Sequence, residues 1–313
     1  MLQLYKKRKF SDLINDTFGF FRVAGKNYFK TYFAVNGGLL LILLVLIYIA
    51  GKVFFEGLFA NFGTPASGRV LDEYFNSNLG FFIGTGVFLA VLIIIITLLS
   101  YSFPVIYLSI YEKKEKPETA EIVRQLKAKA GRILLFSLLW LVTFLPLLVL
   151  ISLFSILLFA IIIGIPFALA IFGAVSCWMC LAFYDYLTTG NGYFTSMRKG
   201  FDMLFQSFWP HVGASVIMYI IVYVAQSIIS FIPYIIGIGG LILNPTTGAT
   251  QENFSFLGLM MLITFMLSIA LGYILGNFIF INQGLIYYSA KEKNEHQSLH
   301  SDIDLIGKNF DSE

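Results

Sequence analysis

Residues 7–55 read KRKFSDLINDTFGFFRVAGKNYFKTYFAVNGGLLLILLVLIYIAGKVFF. The first part crowds cations together with Phe and Tyr. The second, from about 35 to 55, is almost wholly apolar. At 1.5 Å of rise per residue, a helix of that length crosses the roughly 30 Å of hydrocarbon in a bilayer. This run therefore decides the fold class: it reads as a membrane span entered through a charged, ring-rich segment.

The rest of the chain repeats the pattern. Of its 313 residues, 58% are hydrophobic and only 12% charged, against about 25% charged in soluble domains. The mean hydropathy is +0.81. Six runs predict spans, at about 35–55, 80–103, 133–157, 165–187, 212–236 and 256–282. The third and fourth nearly fuse, and a single helix over 133–187 would reach about 80 Å. Gly164-Ile165-Pro166 separates them, because Gly follows helix ends and Pro favours a first turn. Pro210 suits the start of the fifth span in the same way. Pro104 and Pro146 fall within or near spans two and three, where neighbouring helices take up freed carbonyls. The expected fold is an all-α integral membrane domain over 1–289, followed by a charged tail over 290–313.

Lys and Arg set the orientation. The segments 1–34, 111–132, 188–210 and 290–313 alternate with the loop 52–79, the turn near 164 and the loop 237–255. The first set holds 19 cations and the second holds 2. By the positive-inside rule both termini lie in the cytoplasm, which requires an even number of spans. No cleavable signal peptide is visible, since the first apolar run starts late and no A-x-A-like site follows it. These features predict a membrane-integral chain with both termini cytoplasmic.

Wound as a helix, residues 10–33 are amphipathic. Phe10, Leu13, Ile14, Phe18, Phe20, Phe21, Ala24, Tyr28 and Tyr32 take one half of the cylinder. Asp12, Asn15, Asp16, Gly19, Arg22, Lys26, Asn27 and Lys30 take the other, with Val23 and Phe33 as exceptions. Such a helix lies in the headgroup layer or packs its rings on the bundle. Lys6, Lys7, Arg8 and Lys9 add a basic cluster that anionic lipid attracts, at about 1 kcal/mol per charge near the surface. Residues 192–209 repeat the device, with Tyr193, Phe194, Met197, Phe201, Leu204, Phe205 and Phe208 facing away from Thr195, Arg198, Lys199, Asp202 and Gln206. A weaker stripe, Ile122 and Leu126, marks 117–131. A short amphipathic helix is expected near 298–310. Lys6, Lys7, Arg8, Lys9, Arg22, Lys26, Lys30, Arg198 and Lys199 are the candidate lipid-interface residues.

IYLSIYEKKEK (106–116) after span two and IYYSAKEKNEH (286–296) after span six match at six of eleven positions. Together with the recurring cytoplasmic interfacial helices, this echo suggests a degenerate threefold repeat of interfacial helix plus hairpin.

The interfacial segment 10–33, the run IIIGIPFALAIFGAVSCWMC (161–180) and GYFTSMRKGFDMLFQSFWPHVG (192–213) resemble a bacterial multi-pass family. That family is related to the membrane domain of glycerophosphoryl diester phosphodiesterases. The shared pattern is an I-x-I-P-like turn, a span, and a small-residue helix ending in K-G before an aromatic stretch. In the full-length enzymes catalysis resides in a separate soluble barrel, for which this sequence has no room. The resemblance implies a membrane module of a bacterial cytoplasmic (inner) membrane, without the enzyme's activity.

The residues themselves show no catalytic constellation. His211, His296 and His300 are scattered, and neither H-E-x-x-H nor a P-loop motif occurs. Cys177 and Cys180 form C-W-M-C inside span four and read as packing residues, so no metal or other cofactor is expected. Lys52 and Glu56 lie at the outer end of span one, and Asp185 at the inner end of span four. The central parts of the spans hold no ionisable residue. Gln226, Asn277, Asn282 and Gln283 serve as hydrogen-bond glue between helices or line a polar cavity. Gly272 and Gly276 form a G-x-x-x-G. The cations flank spans, so nucleic acid is not an expected partner.

Three functions are compatible with these residues. The leading expectation is a non-catalytic module that organises lipid, of anionic type, or a partner membrane protein. A transporter or channel for a neutral or amphipathic solute comes second. A lipid-acting enzyme comes last, for want of an acid, base or nucleophile constellation.

Overall fold

The computed structural model describes residues 2–59, 67–159, 164–243 and 251–295. Every regular element among them is an α-helix: α1 (Phe10–Phe59), α2 (Ser67–Ser77), α3 (Leu79–Tyr111), α4 (Thr119–Phe159), α5 (Gly164–Thr189), α6 (Tyr193–Phe205), α7 (Phe208–Leu243) and α8 (Gln251–Glu295). Six of these, α1, α3, α4, α5, α7 and α8, are long and apolar enough to cross a membrane. Their most apolar stretches are largely not buried within the protein: only 11–33% of each such window is internal. Val142 is 70% exposed, and Leu138, Leu150 and Leu157 likewise point outward. Six apolar rods with apolar outer surfaces need hydrocarbon around them, and a helix satisfies its own backbone there. The chain is an all-α, multi-pass integral membrane protein.

The helices are longer than their spans. α1 has 50 residues, about 75 Å, more than twice the bilayer hydrocarbon. The expected boundary between 33 and 35 is absent, and α1 runs unbroken through Asn36-Gly37-Gly38. The segment 117–131 is likewise continuous with span three in α4. No proline interrupts either junction. Gly37 and Gly38 at the α1 junction cost only about 1 kcal/mol each relative to Ala. The 192–209 segment does separate, as α6, from the helix that follows. Pro104, Pro146 and Pro233 lie inside α3, α4 and α7, whereas Pro166 and Pro210 sit in first turns. The expected tail helix near 298–310 lies outside the described residues.

The chain forms two compact units. The first takes the described residues of 1–35, 98–221 and 277–313; the second takes those of 36–97 and 222–276. In the first, the ring face of α1 is the core. Phe20, Tyr28 and Tyr32 are fully buried with Phe103, Tyr107 and Tyr111 of α3. The Tyr28 ring meets Phe103 at 5.2 Å and Tyr107 at 4.8 Å, both near edge-to-face. Such pairs add about 0.5–1.5 kcal/mol beyond the area they bury. Phenol groups bond across helices: Tyr28 donates to Asn277 Oδ1 at 2.7 Å and Tyr107 to Asn27 Oδ1 at 2.8 Å. Of the two fates open to the 10–33 ring face, packing on the bundle is realised by Leu13, Phe20, Ala24, Tyr28 and Tyr32. Phe10 and Phe18 stay exposed, as do the exceptions Val23 and Phe33.

In the second unit, Thr97 and Tyr273 share a hydrogen bond of 3.0 Å between α3 and α8. The amide of Gln226 donates to the Ser268 carbonyl at 3.0 Å. Tyr74 of α2 donates to the Val53 carbonyl at 2.9 Å, which ties α2 to α1.

Candidate functional site

The chain's first residues form a strap across the first unit. The Leu2 amide donates to the Tyr111 hydroxyl at 2.9 Å, and Leu4 is buried. The Tyr5 ring meets Tyr288 edge-on at 5.1 Å. Arg8 closes the strap. Its backbone amide donates to Ser289 Oγ at 2.9 Å, its Nε bonds Asp16 at 2.9 Å, and its other nitrogens reach the Leu4 and Gln3 carbonyls. The guanidinium has no solvent exposure. Burial pulls it below the usual arginine range, and its hydrogen bond to the Asp16 carboxylate opposes that. Arg8, a candidate lipid contact in sequence, is therefore a buried structural cation. Lys6 keeps a half-exposed side chain beside Asp16, 3.3 Å away.

The other candidates stay on the surface. Lys7, Lys9, Arg22, Lys26, Lys30, Arg198 and Lys199 are exposed, and all belong to the first unit. Exposed rings belong to the same unit. Phe194 is 72% and Trp209 71% exposed, with Phe201 and Phe205 between them in sequence. The ring face expected on α6 thus divides. Tyr193, Met197 and Leu204 are buried, while Phe194, Phe201 and Phe205 are not. Ser196 and Gly200 are the reason: this S-x-x-x-G allows α6 to lie against α5. A β-carbon at Gly200 would sit 2.7 Å from the Ala182 amide nitrogen. The spacing of those two small residues is the sequence signal for the true contact face.

The turn between α5 and α6 holds residues that sequence reasoning did not single out for this role. Asp185, buried, accepts 2.8 Å hydrogen bonds from Asn191 Nδ2 and Ser196 Oγ. Gly190 takes φ +78°, the left-handed geometry that ends helices cheaply only for glycine. Two cations of α4 then satisfy the last carbonyls of α5. Lys129 donates to Leu187 at 2.6 Å, and Arg132 to Tyr186 at 2.6 Å and Asn191 at 2.7 Å. Arg132 also stacks 4.1 Å above the Tyr186 ring. Positive charge at a helix C-terminus complements its dipole. Nothing in linear spacing pairs α4 with this end.

The four candidate amides each hydrogen-bond a residue of another helix. Asn277 accepts from Tyr28, and Asn282 donates to the Leu13 carbonyl at 3.1 Å and to Thr17 Oγ1 at 3.0 Å. Gln283 donates to Ser215 Oγ at 2.8 Å. All three are buried in the first unit, whereas Gln226 belongs to the second. Each is a bond between helices. An apolar cleft of about 480 Å³ in the second unit includes none of the four.

Cys177 and Cys180 are buried free thiols, and His211 is buried near the start of α7. Among the described residues, no three His, Cys, Asp or Glu side chains gather as a metal site. His296 and His300 lie outside the described residues.

Fold and surface together define a multi-pass helical membrane protein in which the seven exposed candidate cations share one unit with both ends of the described chain. No protein-family model, curated protein or solved structure matches the chain.

Proposed function

We propose that this chain is a non-catalytic membrane module of the bacterial cytoplasmic membrane that organises anionic lipid, or a partner membrane protein, on its cytoplasmic side. One observation carries the reading. Lys7, Lys9, Arg22, Lys26, Lys30, Arg198 and Lys199 are exposed in the same unit as Phe194, Phe201, Phe205 and Trp209. Cations beside amphipathic rings match the headgroup layer, where phosphates meet the edge of the hydrocarbon. The positive-inside rule puts that unit's termini in the cytoplasm. The use of the buried amides as inter-helix bonds favours a scaffold over a polar solute path. The resemblance to the glycerophosphoryl diester phosphodiesterase membrane domain points the same way.

The test is lipid selectivity. In bilayers containing spin-labelled phosphatidylglycerol or phosphatidylcholine, the protein should immobilise the anionic lipid preferentially at low salt. Replacing the seven exposed cations by Gln should abolish most of that preference, since each contributes about 1 kcal/mol near a charged surface. Equal selectivity in both proteins would remove the lipid half of the proposal and leave the protein partner.

A further inference from the structure

The second unit contains a feature that the proposed function does not use. Segments of α1, α3 and α8 enclose the cleft of about 480 Å³. Its walls include Phe54, Phe55, Phe82, Leu89 and Phe265. Thr85 carries the lining's single side-chain hydroxyl, and no lining residue is charged. Phe75 of α2 meets Phe54 at 5.6 Å and Phe82 at 5.4 Å, so an aromatic group touches two of the lining rings. Along α1 the cleft runs from Ile47 to Phe55, about 12 Å of helix.

Two glycines shape it. At Gly51 an added β-carbon would strike Leu262, so α1 and α8 close tightly there. At Gly86 a β-carbon would meet nothing within 4 Å. The missing side chain at Gly86 therefore leaves open space in the lining.

The surroundings determine what enters. These segments belong to helices that cross the membrane, so the neighbouring medium is hydrocarbon. Water needs two to four polar partners to occupy a cavity, and this lining offers one hydroxyl. An empty cleft would forfeit dispersion contacts along every wall. Its volume falls within the range of roughly 300–1,000 Å³ typical of small-ligand sites. We infer that the cleft binds one hydrocarbon chain of a membrane lipid, with Gly86 providing the space. This site differs from the cationic surface above in residues, unit and chemistry: it recognises a chain and takes no account of headgroup charge.

The protein should be reconstituted in equal parts phosphatidylcholine and phosphatidylglycerol, extracted in mild detergent, and examined by native mass spectrometry after gel filtration. The wild type should retain a phosphatidylcholine molecule. Gly86→Phe should lose it, because the ring fills the cleft. Gly84→Phe should keep it: Gly84 also has open space for a β-carbon and does not line the cleft. Both substitutions replace a helical glycine, which lets monodisperse elution verify folding. Retention unchanged in Gly86→Phe would overturn the inference. So would a wild type that holds no lipid, one that retains only phosphatidylglycerol, or one in which a second copy covers the cleft. The variant lacking the seven exposed cations should still retain phosphatidylcholine, which separates failure of this site from failure of the proposed function.

Discussion

Gly200 has no side chain because the Ala182 backbone occupies that place, with its nitrogen 2.7 Å and its α-carbon 2.9 Å from an ideal β-carbon. Gly200→Val should therefore push α6 from α5 and destabilise the fold by about 1–3 kcal/mol, the usual cost of overpacking. Thermal unfolding in detergent measures it, with Gly84→Val as a control whose added side chain enters open space. An unchanged midpoint for Gly200→Val would mean that α6 does not rest on α5. The same scale shows what one residue's neighbours in sequence conceal. Arg8 and Lys9 read alike in a basic cluster, yet Arg8 is buried and Lys9 is exposed. Asp16, eight residues away, and Ser289, 281 away, decide the difference. Neither partner follows from local charge pattern.

At the scale of elements, the C-terminus of α5 depends on its neighbours. Asp185 holds Asn191 and Ser196, while Lys129 and Arg132 take the final carbonyls. Asp185→Ala should leave the buried Ser196 hydroxyl and the half-buried Asn191 amide without their acceptor, a loss of about 1–3 kcal/mol. Limited proteolysis should then cut between α5 and α6 faster than in the wild type. Equal cutting rates would show that the carboxylate does not hold this turn. Hydropathy located the existence of the long helices and the α4–α5 separation at Gly164-Ile165-Pro166. It divided α1 where charge gave way to apolar residues, but helix continuity depends on the backbone. Since Asn36, Gly37 and Gly38 break no hydrogen-bond ladder, α1 continues. Periodicity also merged two faces of α6, because rings and small residues lie close together around so short a helix. Packing chose Ser196 and Gly200 and left the rings outside.

For the whole molecule, six spans bring the two ends of the described chain to the same place, as the Arg8–Ser289 bond records. Single-cysteine probes Lys7→Cys and Lys293→Cys should react with an impermeant maleimide from the same membrane face, the cytoplasmic one. The native thiols are buried and should stay silent. Labelling of the two probes from opposite faces would overturn the topology. The span count was legible from six apolar runs, and the 19 of 21 cations in alternate segments independently favour an even number. The roles of Asn277, Asn282 and Gln283 were not, since amides between helices and amides around a chamber have the same sequence. Their partners Tyr28, Leu13, Thr17 and Ser215 come from distant parts of the chain.

The strap has a consequence in time. Ser289 is synthesised 281 residues after Arg8, so the buried seat of the guanidinium does not exist while the first helices are being inserted. Throughout that interval Arg8 lacks its Ser289 partner and stands in sequence beside Lys6, Lys7 and Lys9. Once the last helix arrives, the same charge is withdrawn from solvent and locks the first residues of the chain to the last helix. The bond therefore joins segments that the ribosome makes far apart in time.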